Sequence, residues 1–452
     1  MRRDIVIIGG GPAGVITALT AKSVYPEKSV CLVKDVPDGV IPCAIPYMIH
    51  TMGDPGQNRM GDTPLLDAGV EIMIDLAVAL DPEAATLGLR SGERLRYERL
   101  VLATGLEPSL PPVKGIEKEG VYAVKKELSY LTALRERLNA AQHMVILGGG
   151  FIGAELADEL SRPQSATLHL VEMMPQLLSA AFDDEFGEQI ARILADQGVQ
   201  IHTATRVASI EGNTRVEGVV LDSGETLPAD LVMVGVGGKP NVNLAREAGL
   251  RITDGGSIWV DAYMRTKVEN IFAVGDCALK RDFFTRKEVP VWLASTATAE
   301  ARIAGTNIYD IRVLRQIQGT IAAFSTQIGG VSFASAGLIC RSCDQERFRW
   351  VSGSVTAPDR HPGTLPGARN LKVKLVFADR AGILLGGQMS GGPSVGELIN
   401  AVAIGIQKGL TVRELDMMQI ATHPLLTPAP TVHPLINAAH QALAKLRGPQ
   451  PQ

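Results

Sequence analysis

The stretch IVIIGGGPAG, Ile5 to Gly14, decides the fold, and a second stretch, MVILGGGFIGAE, Met144 to Glu155, repeats its pattern. In each, a short apolar run reads as a strand, a glycine-rich loop follows, and a helix pattern takes over. In such a GxGxxG loop one glycine permits the tight turn, one lets the backbone approach a pyrophosphate, and one allows close helix–strand packing. The helix N-terminus then offers free N–H groups and a positive dipole end to the phosphates. A single loop of this kind is a weak signal. Two, roughly 140 residues apart, imply two dinucleotides on one chain and an electron transfer from one to the other.

The acid at the end of the second strand of each unit discriminates nucleotides. In the second unit Glu172, in HLVEMM, holds that place, with no arginine or lysine over residues 173–176. A carboxylate accepts from a ribose 2′-OH and repels a 2′-phosphate, which favours NAD(H) over NADP(H). The alternative is a solvated strand end. In the first unit the corresponding residue is Lys34, followed by Asp35. This departs from the expected carboxylate, and either residue is a candidate ribose contact.

Between the loops lies IPCAIPY, Ile41 to Tyr47, with a lone cysteine at Cys43. Pro42 and Pro46 disfavour a regular helix there and hold the sulfur in a defined loop or helix-entry geometry. The alternative for Cys43 is a buried apolar residue.

Length and composition bound the rest. The 452 residues allow two to four domains. A net charge of −4 with no basic stretch, and 4% aromatics, argue against nucleic acid as a partner. No apolar run reaches the ~18–20 residues of a membrane span, and the N-terminus enters a strand at once without a signal-peptide pattern. The five cysteines form no disulfide framework, which fits a reducing cytoplasm. Cys340 and Cys343 form one CxxC without a second ligand pair, so no metal site is expected.

Along the chain, Asp4–Ile8, Ser29–Lys34, Val70–Leu80, Thr86–Leu89 and Leu100–Ala103 read as strands around a helix at Gly14–Ser23. PSLPPVKG, Pro108 to Gly115, marks a crossover. Helix Glu127–Ala140, strand Met144–Leu147, helix Ile152–Leu160, strand Thr167–Val171 and helix Asp183–Gln197 make the second unit. Strands at Val199–Thr203, Val207–Glu211, Val216–Leu221 and Leu231–Val236 complete it before GGKPN, Gly237 to Asn241. The chain then returns to the first unit through strands at Trp259–Val260 and Ile271–Val274 and helix Ala294–Ile308. A hairpin of Leu371–Phe377 with Gly382–Gln388, helix Ser394–Gly405 and a proline-interrupted tail follow, with Gly448–Gln452 expected to fray.

LVLATG (Leu100 to Gly105), TKVENIFAVGD (Thr266 to Asp276), the tandem loops and the closing α+β segment resemble the pyridine nucleotide–disulfide oxidoreductase family over nearly the whole chain. The resemblance implies an α/β fold with two Rossmann-like dinucleotide-binding domains and a C-terminal α+β dimerisation domain. It implies an FAD-binding domain over 1–112 and 243–319, an NAD-binding domain over 113–242 and a dimerisation domain over 320–452, in a homodimer. FAD would lie against Gly9, Gly11, Pro12, Ala13, Gly14, Lys34, Asp35, Cys43, Ala103, Thr104, Gly105, Gly275, Asp276 and Ala294. NADH, rather than NADPH, would lie against Gly148, Gly150, Phe151, Ile152, Gly153, Glu155, Glu172 and Gly237, with Glu155 near the nicotinamide.

Cys43 has no partner cysteine before Cys277. The lone cysteine of xPCxxPY, with DRHPGTLPGA (Asp359 to Ala368), looks like the single-cysteine branch containing coenzyme A-disulfide reductases, persulfide reductases and NADH oxidases. That branch implies NADH-driven reduction of a small disulfide, persulfide or polysulfide through Cys43, coenzyme A derivatives favoured. The rivals are an oxidase or peroxidase cycling a cysteine sulfenate and a flavoprotein serving a protein partner. Departures are Gly39, where coenzyme A-disulfide reductases carry serine, and the absence of tyrosine at Thr364-Leu365 and at Ala421-Thr422-His423. Tyr47 and His423 are candidate substrate-side donors; core packing for Tyr47 and a surface or packing role for His423 and His433 are the alternatives.

Overall fold

The computed structural model describes residues 1–162, 166–314 and 317–447. The expected fraying of Gly448–Gln452 lies outside the described residues. In the first unit, the strand Arg2–Ile8, apolar and buried from Ile5 on, sits centrally, parallel to Val30–Lys34 on one side and to Arg94–Leu102 on the other. Glu71–Ile74 extends the parallel edge. The far edge of Arg94–Leu102 is shared. Its first half takes the antiparallel hairpin Ala77–Asp81/Thr86–Leu89, and its second half takes Ile271–Ala273 in parallel. The chain thus returns to its first sheet after the whole second unit, as its sequence suggested.

The second unit is a parallel sheet in the order Gln200–His202, Thr167–Val171, His143–Leu147, Leu231–Val234, Val121–Ala123. Its three central strands are almost wholly buried, as expected of a parallel sheet covered on both faces, and read as mainly apolar runs. One face carries helices Leu128–Ala140, Phe151–Ser161 and Asp184–Asp196; the other carries the meander Val207–Glu211, Gly218–Leu221, Thr226–Pro228. A two-stranded antiparallel link, Leu106–Pro108 with Gly238–Pro240, ties the way out to the way back.

The third unit is a five-stranded antiparallel sheet, Phe324–Ile328, Val331–Gly337, Leu384–Gly391, Asn370–Ala378, Trp350–Pro358. Helices Val395–Lys408 and Pro434–Arg447 pack on it.

Three readings are corrected. Val70–Leu80 is two strands, because Asp75 turns the chain by capping Leu76 N at 2.7 Å and so separates a parallel strand from a hairpin. Trp259–Val260 is not a strand: its neighbour Ile258 makes only isolated bridges, to Ile252 and Ala278, in a turn-rich stretch. The tail is not merely proline-interrupted. Pro434 starts a helix, whose buried Leu435, Ala438, Ala439, Ala442 and Leu443 follow the helical period. Among the described residues no helix is long and apolar enough to cross a membrane.

Candidate active site

Both loops have the geometry that a bound pyrophosphate needs. Gly9 and Gly148 sit at φ +117° and +102°, which side chains with a Cβ rarely adopt. A Cβ on Gly14 would lie 1.9 Å from the Gly9 carbonyl oxygen, and one on Gly153 would lie 1.8 Å from that of Gly148. The helix can approach the strand this closely only with glycine at these places. By contrast, a Cβ on Gly11 or Gly150 would meet no atom within 4 Å. That open space lies at the N-caps of helices Pro12–Val24 and Phe151–Ser161, where the N–H groups are free for an anion. Pro12 and Ala13 occupy the first helical turn. Gly153→Ala should therefore cost about 1–3 kcal/mol through overpacking, read as a lowered midpoint in urea unfolding.

The strand-end residues diverge. Glu172 accepts from Gly149 N at 2.6 Å and Met174 N at 2.7 Å, so its carboxylate is fixed at the mouth of the second loop. Lys34 takes the same place at the first loop, with its stem against Gly10. Its ammonium is buried and donates to Pro37 O at 2.9 Å and to both Asp62 oxygens at 2.8 Å. The carboxylate missing from the strand end is thus returned by Asp62, which lies far along the chain from Lys34. Asp35 is exposed.

Cys43 is exposed in a 3₁₀ turn, Pro42–Ala44, followed by a second, Pro46–Met48; the prolines do exclude an α-helix. Two clasps hold this segment. Asn58, fully buried, donates its side-chain amide to Ile41 O at 3.2 Å and to Met48 Sδ at 3.0 Å, and its backbone carbonyl accepts from Ile41 N at 3.1 Å. On the second-loop helix, fully buried Glu159 accepts from Thr51 N at 2.7 Å and Thr51 Oγ1 at 2.6 Å. A single apolar cluster joins Val40, Ile45, Met48 and Ile49 to the second unit and to Ile328 and Phe333 of the third. The cysteine is therefore set between units rather than on one.

Around Cys43 the fold gathers Glu155, Asp276 and Lys126. Burial, then the Glu155 charge, push the Cys43 thiol above its ordinary value, Lys126 pulls it down, and Asp276 adds a smaller upward push. The chain's own carboxylates thus oppose a Cys43 thiolate, and Lys126 is the cation that favours it. Lys126 Nζ also lies 3.9 Å from Asp276 Oδ2. Tyr47 is half-buried; burial and then the charges of Glu155, Glu159 and Asp158 push its phenol to about 12. It remains a neutral hydroxyl.

Asp276 stands on a turn built by a buried ion pair. Gly275 N donates to Glu300 Oε2 at 2.9 Å, and Lys280 Nζ reaches the same oxygen at 3.0 Å with both side chains almost fully buried. Glu300 stands on helix Ala294–Thr306, whose first residue is Ala294, and carries the pair under the turn. Ala103 is buried behind Gly9, and Thr104 Oγ1 donates to Asn241 O at 2.6 Å, joining Thr104-Gly105 to the segment after Gly237. Phe151 stacks on Phe324 at 4.9 Å, and Ile152 is exposed beside it.

Other candidates stand apart. His423 lies in an exposed loop of the third unit, and among the described residues its bonds are local, to Leu425 N and Thr427. His433 is buried, which lowers its pKa, and its Nδ1 has no hydrogen-bond partner among the described residues. Cys340 and Cys343 are buried, with thiols pushed to about 12 first by burial. Among the described residues no group of three or more His, Cys, Asp or Glu is arranged to hold a metal ion. Asn58, Asp62, Lys126, Glu159, Glu300 and Thr326 were missed from sequence. Glu300, an acid on the apolar face of a helix pattern, carried the only local signal.

Comparison with known proteins agrees with this geometry. The family profile "Pyridine nucleotide-disulphide oxidoreductase" matches residues 3–301, and the profile of that family's dimerisation domain matches residues 325–433. An NADH oxidase of Methanocaldococcus jannaschii is 30% identical over 455 residues, 98% of this chain and 99% of that protein. An NAD(P)H coenzyme A polysulfide/persulfide reductase of Pyrococcus horikoshii is 30% identical over 95% of this chain and 96% of its own length. Among solved structures, an NAD-dependent persulfide reductase from A. fulgidus superposes with a TM-score of 0.90 at 28% identity, over 98% of this chain and 83% of that one. The two loops, their glycine contacts and these matches over the full length lead to one assignment: the chain belongs to the pyridine nucleotide-disulphide oxidoreductase family and is an NAD(P)H-dependent oxidoreductase.

Proposed function

We propose that the first loop takes FAD, the second takes NADH, and Cys43 hands the electron pair to a small disulfide, persulfide or polysulfide, coenzyme A derivatives being favoured. The observation that carries this reading is one exposed thiol, Cys43, rigidly held between the first-loop unit and the second-loop helix. The first loop fits a dinucleotide: the Gly11 cradle is open, Asp276 is fixed by the Glu300–Lys280 pair, and Ala294 begins a helix. FAD, when bound, supplies the two-electron relay between nicotinamide and sulfur.

The chain's own part is the sulfur chemistry. The Cys43 thiolate attacks one sulfur of the substrate, forming a mixed disulfide and expelling the other as thiolate or sulfide. Two electrons from NADH, which leaves as NAD⁺ and a proton, would then cleave that disulfide, restoring the Cys43 thiolate and releasing the bound half of the substrate as a second thiolate. The names of the two relatives span both acceptor classes, so the second reading is an NADH oxidase in which Cys43 cycles through sulfenate. Gly39 and the missing tyrosines set substrate handling apart from coenzyme A-disulfide reductases. Anaerobic titration decides. After reduction by one equivalent of NADH, coenzyme A disulfide or persulfide should reoxidise the enzyme; rapid reoxidation by oxygen alone would replace this reading by the second.

Glu172 underlies the preference for NADH. With both oxygens held by backbone N–H groups, it points charge at the second loop. Glu172→Gln should narrow the NADH over NADPH preference in kcat/KM by about tenfold, equivalent to ~1.4 kcal/mol. A cytoplasmic homodimer completes the proposal. Met417 at 77% and Leu426 at 71% exposure are apolar surface on the third unit, beside the exposed loop of His423. In such a homodimer His423 would be a candidate general acid for the partner's active site.

A further inference from the structure

The acid and the glycine loop of the second unit are held together by the stretch 173–182, which runs from Glu172 to Asp183, the N-cap of helix Asp184–Asp196. Met174 N donates to Glu172 Oε1 at 2.7 Å, and Leu178 N donates to Gly149 O at 2.9 Å. Leu177, fully buried, lies against Gly149, where an added Cβ would come 2.5 Å from its Cδ2. The stretch thus fixes both parts of the nucleotide cradle, the carboxylate and the loop backbone. It carries one strained residue, Leu178 at φ +53°. A residue with a side chain keeps that left-handed conformation only where its surroundings over-determine it.

Those surroundings come in large part from the third unit. Arg341, on its short helix Cys340–Gln345, donates from one terminal nitrogen to Ser179 O at 3.0 Å and from the other to Gln176 Oε1 at 3.1 Å, with Asp184 as its ion-pair partner. Gln176 passes the hold on, donating its amide to Phe182 O at 2.8 Å. At the end of the stretch, buried Asp183 receives Lys374 Nζ at 2.8 Å and Gln388 Nε2 at 2.7 Å from two strands of the third unit. A further third-unit contact, Thr326 Oγ1 to Glu155 at 2.6 Å, lies on the second-loop helix. These contacts hold the end of the stretch and the helix; Arg341 reaches the middle of the stretch, on either side of Leu178.

We propose that Arg341 is a positioning residue for the nicotinamide nucleotide: from the third unit it latches the stretch 173–182 over the second loop and so sets the affinity for NADH. Its planar fork serves two acceptors in one fixed geometry, which a point charge does not. Without the latch, Leu178 is released from its strained conformation, and the bonds from Leu178 N to Gly149 O and from Met174 N to Glu172 loosen with it. The nucleotide then binds only the fraction of molecules in which the stretch is ordered, and the apparent dissociation constant rises by the inverse of that fraction. The ribose end held by Glu172 is remote from the nicotinamide, so hydride delivery itself is not touched.

This inference rests on the second loop taking NADH, and its test separates the two. NAD⁺, which cannot reduce a flavin, is titrated into the oxidised holoenzyme by calorimetry. Amide hydrogen exchange over 173–182 is followed in the same preparations, and flavin reduction by NADH gives the limiting rate. Arg341→Met should speed exchange across the stretch and weaken NAD⁺ binding about tenfold, as for a stretch ordered about a tenth of the time. The limiting rate should stay within about twofold of the parent, the mark of lost uniform binding. Arg341→Lys should fall between the two. Parent-like NAD⁺ affinity in Arg341→Met, or a limiting rate that falls as far as the affinity, would overturn the proposal. Gly150→Val distinguishes the failures, because it fills a cradle in which a Cβ meets no protein atom within 4 Å and leaves the latch intact. If it abolishes NAD⁺ binding while Arg341→Met changes nothing, the latch alone falls. If it leaves NAD⁺ binding untouched, the second-loop reading falls, and the role of Arg341 with it.

Discussion

Cys43→Ser should lower NADH-dependent reduction of coenzyme A disulfide or persulfide by a factor on the order of 10³ or more, as expected when a nucleophile is removed. Binding of NADH and bleaching of the FAD-bound protein by NADH should persist. The physical reason is positional. Asn58 and Glu159 fix the backbone on either side of residue 43, so the serine hydroxyl would occupy the sulfur's place without its nucleophilicity or redox capacity. The measurement is anaerobic turnover with each acceptor beside NADH titration of the same preparation. Retained turnover would transfer the reaction to another group and favour direct delivery to a protein partner.

Glu300→Ala should destabilise the protein by about 3–5 kcal/mol, because it leaves the Lys280 ammonium buried without its counter-charge. Both side chains are at most 2% exposed, and Glu300 also receives Gly275 N. Urea unfolding followed by tryptophan fluorescence should show a lowered midpoint, with FAD retained less well because Asp276 stands on the same turn. The double variant Glu300→Leu with Lys280→Met separates the causes. It removes both charges and should recover much of the stability, whereas a purely steric defect would not be rescued. FAD retention should stay low in the double variant, since the bond to Gly275 N is still missing.

Local pattern carried a large part of the fold. Ile5–Ile8 and Met144–Leu147 are apolar runs followed by glycines at positive φ, so strand, loop and helix were legible from their own residues. The tail helix Pro434–Arg447 had its period in plain view but was obscured by the prolines before it. Trp259–Val260 had strand composition, yet among the described residues no strand pairs with it. Strand identity depends on a partner, which composition does not supply.

The site divides in the same way. Gly9, Gly14, Gly148, Gly153, Glu172 and Cys43 stand out in the sequence because each would act through its own backbone or its own chemistry. Asp62 on Lys34, Asn58 on Ile41, Lys126 beside Asp276 and Thr326 on Glu155 are pairings across long stretches of chain. Nothing in either partner's local sequence announces the other. The sequence by itself determined two glycine-rich strand–loop–helix units, an acid at a strand end and a lone cysteine, because turn sterics and residue chemistry are local. Only the tertiary structure decided what surrounds that cysteine, because the strength and sign of electrostatic control depend on distance and burial, and these exist only once the three units are packed together.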